Sequence, residues 1–482
     1  MITPLRHLTN YFRAMAASTP YESWSKEDLI ARLMHLELEL KESRQPPHSR
    51  SFLRASHPDR DFDFSSYSRR KIALKFLYAG WAYNGLAIQA SDATPLPTVE
   101  GVLFEALGKA RLIDPSAGFE GCGWERCGRT DRGVSAGGQV ISLWVRSALA
   151  PKPVAIPDPP NPSSSEDPPG TWPEDDFGSL DFPSPAHRPT GEAEHNYVGI
   201  LNRMLPPTIR ILAWSPVAPD FSSRFACTSR HYKYFFAADG LDIPRMTEAA
   251  SLLVGGHDFR NLCKIDPAKQ LTMYRRRVIS ADINPVEAGM YVLDLEGWAF
   301  LYHQVRHIMA VLFLVGSGLE SPSIVTALLN VEPGAEGLSV VDTKPVYQMA
   351  DALPLMLYDC HYSPGDVDWQ TGDADPDALT GASLYHQIHS IHARSAMYAT
   401  LNRQFLAAAA VHHAAPTPLL PLESTGFVPD GKTPMNIPLG GGEFRRTAKY
   451  IPLLERRRGD HYEVANERWR LGPGVRRKKD AS

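Results

Sequence analysis

Residues 128–136 read Gly-Arg-Thr-Asp-Arg-Gly-Val-Ser-Ala, and the single carboxylate among them, Asp131, stands between two guanidinium side chains, Arg129 and Arg132. The flanking glycines, Gly128 and Gly133, supply positions able to take φ > 0, so the spacing predicts a tight, electropositive turn. A carboxylate held on such a turn at a strand's edge, with cations close enough to favour its charged form, has the character of a nucleophile or general base. Charged turns are also common as plain loop closures, where the ion pair contributes little. Taken alone these residues favour loop closure, and a chemical role requires partners elsewhere in the chain.

Other stretches offer them. From Asp220 to Phe236, alternation places Arg230, Tyr232, Tyr234 and Phe236 on one face of a strand and Ser229, His231, Lys233 and Phe235 on the other. By itself this is an edge strand with an aromatic core face. Residues 300–309, Phe-Leu-Tyr-His-Gln-Val-Arg-His-Ile-Met, open a predicted helix in which Leu301, Val305, Ile308, Leu312 and Val315 form a buried stripe. Tyr302 and Arg306 share another face of it, four residues apart. An arginine beside an apolar stripe usually snorkels to solvent.

Asp131 must be carried by the elements around it. Gln139 to Arg146 alternates with period 2, as does Lys71 to Tyr78, so strands are expected on both sides of the motif. Between them Thr98 to Leu112 has a helical period, through Val99, Val102, Leu103, Ala106, Leu107 and Ala110. His195 to Met204 reads as a further helix. Gly255 to Lys264, Gly-Gly-His-Asp-Phe-Arg-Asn-Leu-Cys-Lys, suggests a glycine helix cap followed by a buried Phe259.

The chain has 482 residues, 43% of them apolar and 10% aromatic, which is enough for two or three domains with sizeable cores. No run approaches the roughly eighteen apolar residues of a membrane span, and no secretory leader is read. The five cysteines, Cys122, Cys127, Cys227, Cys263 and Cys360, contain no Cys-x-x-Cys pair, so neither a disulfide framework nor a thiolate metal site is indicated.

Net charge is −4, but nine acidic residues against one basic lie in 155–194, and five against none in 363–380. The rest of the chain is therefore basic, as a nucleic-acid partner requires. Both acidic stretches are rich in Pro, Ser and Gly and read as flexible insertions. The expected division is an N-terminal extension, 1–66; a first α+β lobe, 67–149; an acidic linker, 150–195; a second α+β lobe, 196–362; and a C-terminal region, 363–482, with a helix and a basic tail. In the extension, Ser25 with Asp28 caps a predicted helix whose Leu29, Leu33, Leu36 and Leu40 recur at coiled-coil spacing. It serves either to pack on the body or to bind a partner, packing being the commoner case.

Taken in order, these motifs resemble those of the TruA-type tRNA pseudouridine synthases. Gly-Arg-Thr-Asp-x-Gly-Val-x-Ala resembles the family's active-site loop, and Gly80 to Gln89 resembles the loop after its first strand. Arg-Phe followed by Arg-x-Tyr-x-Tyr resembles its second motif, Phe-x-x-x-x-Val-Arg its third, and Leu355 to Tyr358 its closing strand. Phe259 to Lys264 is similar to the eukaryotic branch that modifies positions 38 and 39 of the anticodon arm. The resemblance implies an α+β fold of two lobes, whose antiparallel sheets join into one platform around a central basic cleft. It also implies catalytic roles for Asp131, Tyr232 and Arg306: Asp131 as nucleophile or base, Arg306 paired with it, and Tyr232 stacked on the base and moving a proton in the last step. Substrate-binding roles follow for Arg129, Arg132, Leu357 and Arg230. Ser135 stands where many bacterial members carry His. The implied partner is tRNA, bound by a homodimer in nucleus and cytoplasm, with no metal or other cofactor and no membrane. A non-catalytic tRNA-binding protein of the same fold, or a synthase acting elsewhere on tRNA, is the alternative.

Several motifs fall outside that scheme. Gly426 to Thr433 satisfies the Walker A spelling but lies among prolines that deny it the strand and helix a phosphate cradle needs. His386, His389 and His392 lack a carboxylate or cysteine partner for a metal and read as a polar helix face. Arg445 to Lys479 holds twelve basic and four acidic residues, suited to phosphates or to a nuclear address. Arg6 and Arg13, in a leading segment free of acids, allow a mitochondrial presequence.

Overall fold

The computed structural model describes residues 24–43, 62–89, 96–149, 193–287, 289–332, 339–371, 384–413, 432 and 434–472. The leading segment with Arg6 and Arg13, nearly all of the acidic linker, most of the Walker-like stretch and Arg476 to Lys479 lie outside them.

The strands in chain order are β1 (Arg69–Tyr78), β2 (Glu125–Arg126), β3 (Ser135–Arg146), β4 (Ile209–Pro216), β5 (Cys227–Ala237), β6 (Gly255–Asp258), β7 (Arg275–Glu287), β8 (Met290–Gly297), β9 (Leu355–Tyr362), β10 (Met435–Gly440) and β11 (Glu443–Thr447). The first nine form one sheet in the order β4-β1-β3-β9-β5-β8-β7-β6, with β2 on the side of β3. All pairings are antiparallel except β3 with β9, which run parallel for two residue pairs, Ser135 with Met356 and Ala136 with Leu357. That short parallel joint fuses two antiparallel halves into one platform. It needs close backbone approach: a Cβ on Gly138 would lie 2.8 Å from the carbonyl oxygen of Tyr358.

Among the described residues the α-helices of six residues or more are α1 (Lys26–Ser43), α2 (Val99–Lys109), α3 (Tyr197–Asn202), α4 (Ile243–Ser251), α5 (Gln304–Gly316), α6 (Ile324–Leu329), α7 (Leu384–Ala410) and α8 (Tyr462–Leu471). Thr98 caps α2 by accepting from Gly101 N. On α1 Ser25 and Asp28 cap each other as predicted. Gly255 does take φ +113°, but α4 has already ended at Ser251 and the glycine opens β6 instead of capping a helix.

Two hydrophobic cores flank the joint. One gathers β1, β3, β4, α2 and α3 around Phe76, Leu74, Tyr197 and Trp214. The other gathers β5, β7, β8, α4, α5 and α6 around Phe259, Leu295, Leu312 and Phe313. Residues 196–226 thus belong to the first half, although the sequence division puts them in the second lobe: β4 pairs with β1 across seven residues, and Tyr197 and Leu201 are fully buried there. The linker ends inside the first half, and the crossing comes at β5. Likewise 434–472 is not an appendage, since Met435, Ile437 and Leu453 enter the second core.

β3 is buried along nearly its whole length on both faces, because β1 and β9 flank it and cores cover it. Its alternation marked a strand but not a solvent face. On α1, Leu29, Ile30, Leu33 and Met34 are exposed, so the packing expected of that helix against the body is not observed for these residues. α7 has no buried residue, and His386, His389 and His392 sit on it in the open.

Candidate active site

The segment carrying Asp131 connects β2 to β3, and its path is fixed from several directions. Arg230 Nη2 donates to Cys127 O at 3.0 Å and Gln139 Nε2 to Gly128 O at 3.0 Å. Thr130 is held at both ends, its hydroxyl 2.6 Å from Tyr78 Oη and its carbonyl accepting from Leu86 N at 3.3 Å. Val134 N closes the turn on Asp131 O at 3.1 Å. Of the two glycines predicted to permit left-handed backbone, Gly133 does so, with φ +84°, whereas Gly128 does not. The latter instead lies against Arg230, whose Nε would be 3.8 Å from an added Cβ.

This over-determined turn presents Asp131, about a quarter exposed, to the start of α5. His303 Nε2 lies 3.2 Å and Arg306 Nη1 4.0 Å from the same oxygen, Oδ2. The predicted pairing of Asp131 with Arg306 across the two halves is thus present at the outer limit of an ion pair, with a histidine nearer. Arg306 is aimed by a reciprocal tie to Ala350: its Nε donates to Ala350 O at 2.8 Å, and Ala350 N donates to Arg306 O at 3.1 Å.

The helix begins later than its periodicity suggests. Gln304 is its first residue, and its side chain accepts from Leu301 N at 2.7 Å, turning the chain sharply before the helix. Tyr302 therefore does not share a helical face with Arg306. His303, at φ +59°, occupies the left-handed region, which costs a non-glycine residue about 1–3 kcal/mol. Its side chain is almost fully buried, and Nδ1 has no hydrogen-bond partner among the described residues. Strain and an unsatisfied buried nitrogen held beside one carboxylate make His303 a candidate site residue that the sequence reading did not include. Its only local signal was the histidine three residues before Arg306.

Tyr232 sits at the seam, packed against both cores and edge-on to Phe300 at 5.0 Å. It pairs with Leu357 of β9, which pairs with Ala136 of β3, giving one row across the joint. Burial pushes the Tyr232 phenol far above its ordinary range, so the group stays protonated. A stacking or proton-donating role suits it; a phenolate base does not.

Two implied substrate-binding residues are placed differently. Leu357 has no exposed surface and supports the row from within, so it offers no wall to a base in this state. Arg230 has its guanidinium occupied by Trp298 O at 2.7 Å, Cys127 O at 3.0 Å and Arg224 O at 3.0 Å, which makes it a clamp between segments. Arg129 is exposed at the rim. Arg132 is also exposed and pairs with Asp28 of α1. Further cations adjoin the site: Lys269 and Lys264 lie over the Tyr302 ring at 4.0 and 5.4 Å, and Arg277 lies over Trp298 at 5.4 Å. Such exposed basic groups interleaved with aromatics suit an RNA backbone.

Phe259 to Lys264, similar to one branch of the family, is built into the scaffold behind this site. Phe259 is core, Asn261 Nδ2 donates to Leu328 O and Val341 O, and Lys264 N donates to Tyr302 O at 2.9 Å.

A family model described as tRNA pseudouridine synthase matches residues 249–363, which include Arg306 and Leu357 and exclude Asp131. The chain is 38% identical over 468 residues to the tRNA pseudouridine(38/39) synthase of Saccharomyces cerevisiae, covering 93% of this chain and 91% of that one. The human protein of the same name is 40% identical over 362 residues, 71% of this chain and 67% of its own. tRNA pseudouridine synthase A of Methanosarcina mazei is 30% identical over 300 residues, 62% of this chain and 87% of its own. Identity sustained across most of both chains, on a fold whose two halves meet where Asp131 is presented, reflects common descent, and the chain belongs to the TruA-type tRNA pseudouridine synthase family.

Proposed function

We propose that this protein isomerises uridine to pseudouridine in the anticodon arm of tRNA, at positions 38 and 39. The observation that carries the reading is the Asp131 carboxylate, fixed on an over-determined turn and faced by His303 and Arg306 from the other half of the platform. The position rests on relatives named for 38/39 at 38% and 40% identity.

The reaction gains and loses no atoms: the N1–C1′ bond breaks, the uracil turns, a C5–C1′ bond forms, and the C5 proton is exchanged for one on N1. A base stacked in a helix is out of reach, so the nucleotide must leave the stack at a cost of about a few kcal/mol. Exposed Arg129 suits the task of steadying it, and the Tyr232 ring offers a stacking surface. Asp131 reacts as nucleophile or base, while Arg306 supplies positive charge where negative charge develops and His303 stands within hydrogen-bond reach of the carboxylate. Tyr232, held protonated, can return a proton but not remove one. Homodimerisation is proposed as well, supported by exposed apolar residues on α1 and on α7, such as Phe405 and Leu406, and is checked by sedimentation of the full chain.

The test is site-resolved detection of pseudouridine in tRNA treated with the wild-type protein or with Asp131→Asn. Product at positions 38 and 39, with a rate at least ~10³-fold lower in the variant at unchanged tRNA affinity, is expected. Undiminished activity in the variant, or product only at other positions, would overturn the reading.

A further inference from the structure

Cysteine spacing along the chain suggests no metal site, yet the fold brings three distant cysteines together. The Sγ atoms of Cys127, Cys227 and Cys360 all lie within 4.8 Å of one another, and all three residues are buried. They come from separate segments: the residue before the catalytic turn, the first residue of β5, and the sixth of β9. We propose that these three thiols bind a thiophilic d10 metal ion, zinc(II) or copper(I), as a structural centre that fixes the joint of the two halves.

The geometry is close to what such an ion needs. Metal–sulfur bonds of ~2.3 Å put the sulfurs of a trigonal or tetrahedral site about 3.8–4.0 Å apart, so a contraction of under ~1 Å completes the set. Thiolate sulfur is the donor that selects zinc or monovalent copper over harder cations. The charge is also provided for. Three thiolates leave a net negative centre around either ion, and Arg230 is the cation beside it: it follows Cys227 by three residues on β5, faces Cys360 across the β5–β9 ladder, and donates to Cys127 O. A half-buried guanidinium tied to three backbone carbonyls is poorly placed to bind RNA. As the counter-charge of a thiolate centre it is well placed. The Cys227 thiol donates to Ser229 O at 3.2 Å. Metal binding releases the three thiol protons to solvent and replaces that contact with a bond.

The same segments carry Asp131, Tyr232 and Leu357, four residues after Cys127, five after Cys227 and three before Cys360. A metal there would hold these positions in mutual register without touching substrate.

The test measures metal directly. Full-length protein, purified without chelator or reconstituted anaerobically with zinc(II) or copper(I) in separate arms, is analysed for bound metal, and the cobalt(II) form is examined for a thiolate charge-transfer band. One ion per chain, the band, and protection of three of the five thiols from alkylation are expected. Cys127→Ser, Cys227→Ser and Cys360→Ser should each abolish all three signals. Cys122→Ser and Cys263→Ser, buried cysteines outside the cluster, should keep them and so serve as folding controls. If the wild-type chain takes up neither ion, or if unfolded wild-type protein shows three free thiols in place of five because two have formed a disulfide, the proposal is overturned. Pseudouridine formation is not the readout, so this failure is separable from that of the proposed activity.

Discussion

Two arginines contact the turn that carries Asp131, one at its start and one opposite its middle, and they are not doing the same thing. Arg230, at its start, gives its guanidinium to three backbone carbonyls. Arg306, opposite its middle, spends only Nε on Ala350 O and leaves Nη1 facing Asp131 at 4.0 Å. Both are arginines of quoted motifs within one small region, and both were assigned to substrate or catalysis from sequence. The difference shows that where the donors point, not residue identity, decides the role: a guanidinium spread over three backbone carbonyls ties segments together, whereas one with an edge toward a carboxylate can stabilise charge that appears during reaction.

The contrast is broken most directly at Arg306. Arg306→Ala should lower the single-turnover rate of pseudouridine formation about 10²-fold, equivalent to about 2.7 kcal/mol, with little change in tRNA affinity. Arg306→Lys should recover only part of the loss, because a point charge lacks the planar edge. Arg230→Leu should do the reverse: about 2 kcal/mol of stability lost in urea denaturation, because carbonyls of three segments lose a charged donor, and less than a tenfold effect on the rate of the folded fraction. Were Arg230→Leu to abolish chemistry with stability intact, the distinction between clamp and catalyst would fail.

What the sequence made legible follows the range of the contacts involved. The turn around Asp131, the strands β1, β3 and β5, the helix α2 and the order of motifs are all local patterns, and all were readable. The start of α5 was misplaced because the apolar stripe runs on through Leu301, while the Gln304 side chain and the left-handed His303 end the helical path. His303 went unseen for the same reason. Residues 196–226 were given to the wrong half because a linker suggests a boundary, yet only the pairing of β4 with β1 reveals where the chain has gone. The cluster of Cys127, Cys227 and Cys360 is the extreme case: its members lie one hundred and more positions apart, and it takes the β5–β9 register together with the bonds of Cys127 to Val140 of β3 and to Arg230 to bring them together.

A smaller effect probes the ground behind Arg306. The next residue, His307, is buried against Lys344, whose Nζ lies 3.0 Å from His307 Nε2, and edge-on to Tyr347; Arg306 and Lys264 are further cations around it. Burial first, and these cations second, push the His307 imidazole down to about 2 from an ordinary 6.5. Its folded value lies below its unfolded one, so between those limits the unfolded chain takes up a proton that the folded chain refuses. Stability therefore falls as pH drops below 6.5, by about 1.4 kcal/mol per pH unit from this group. Lys344, lowered by burial to about 8 from 10.5, acts in the same direction at alkaline pH, adding stability as pH rises through that window. Urea denaturation of wild type and His307→Gln at pH 7.5, 6.0 and 5.0 should show a steeper acid loss in the wild type. An equal slope in both would mean that His307 can take a proton when folded, and that the floor beneath Arg306 is wetter and more positive than a free guanidinium edge aimed at Asp131 requires.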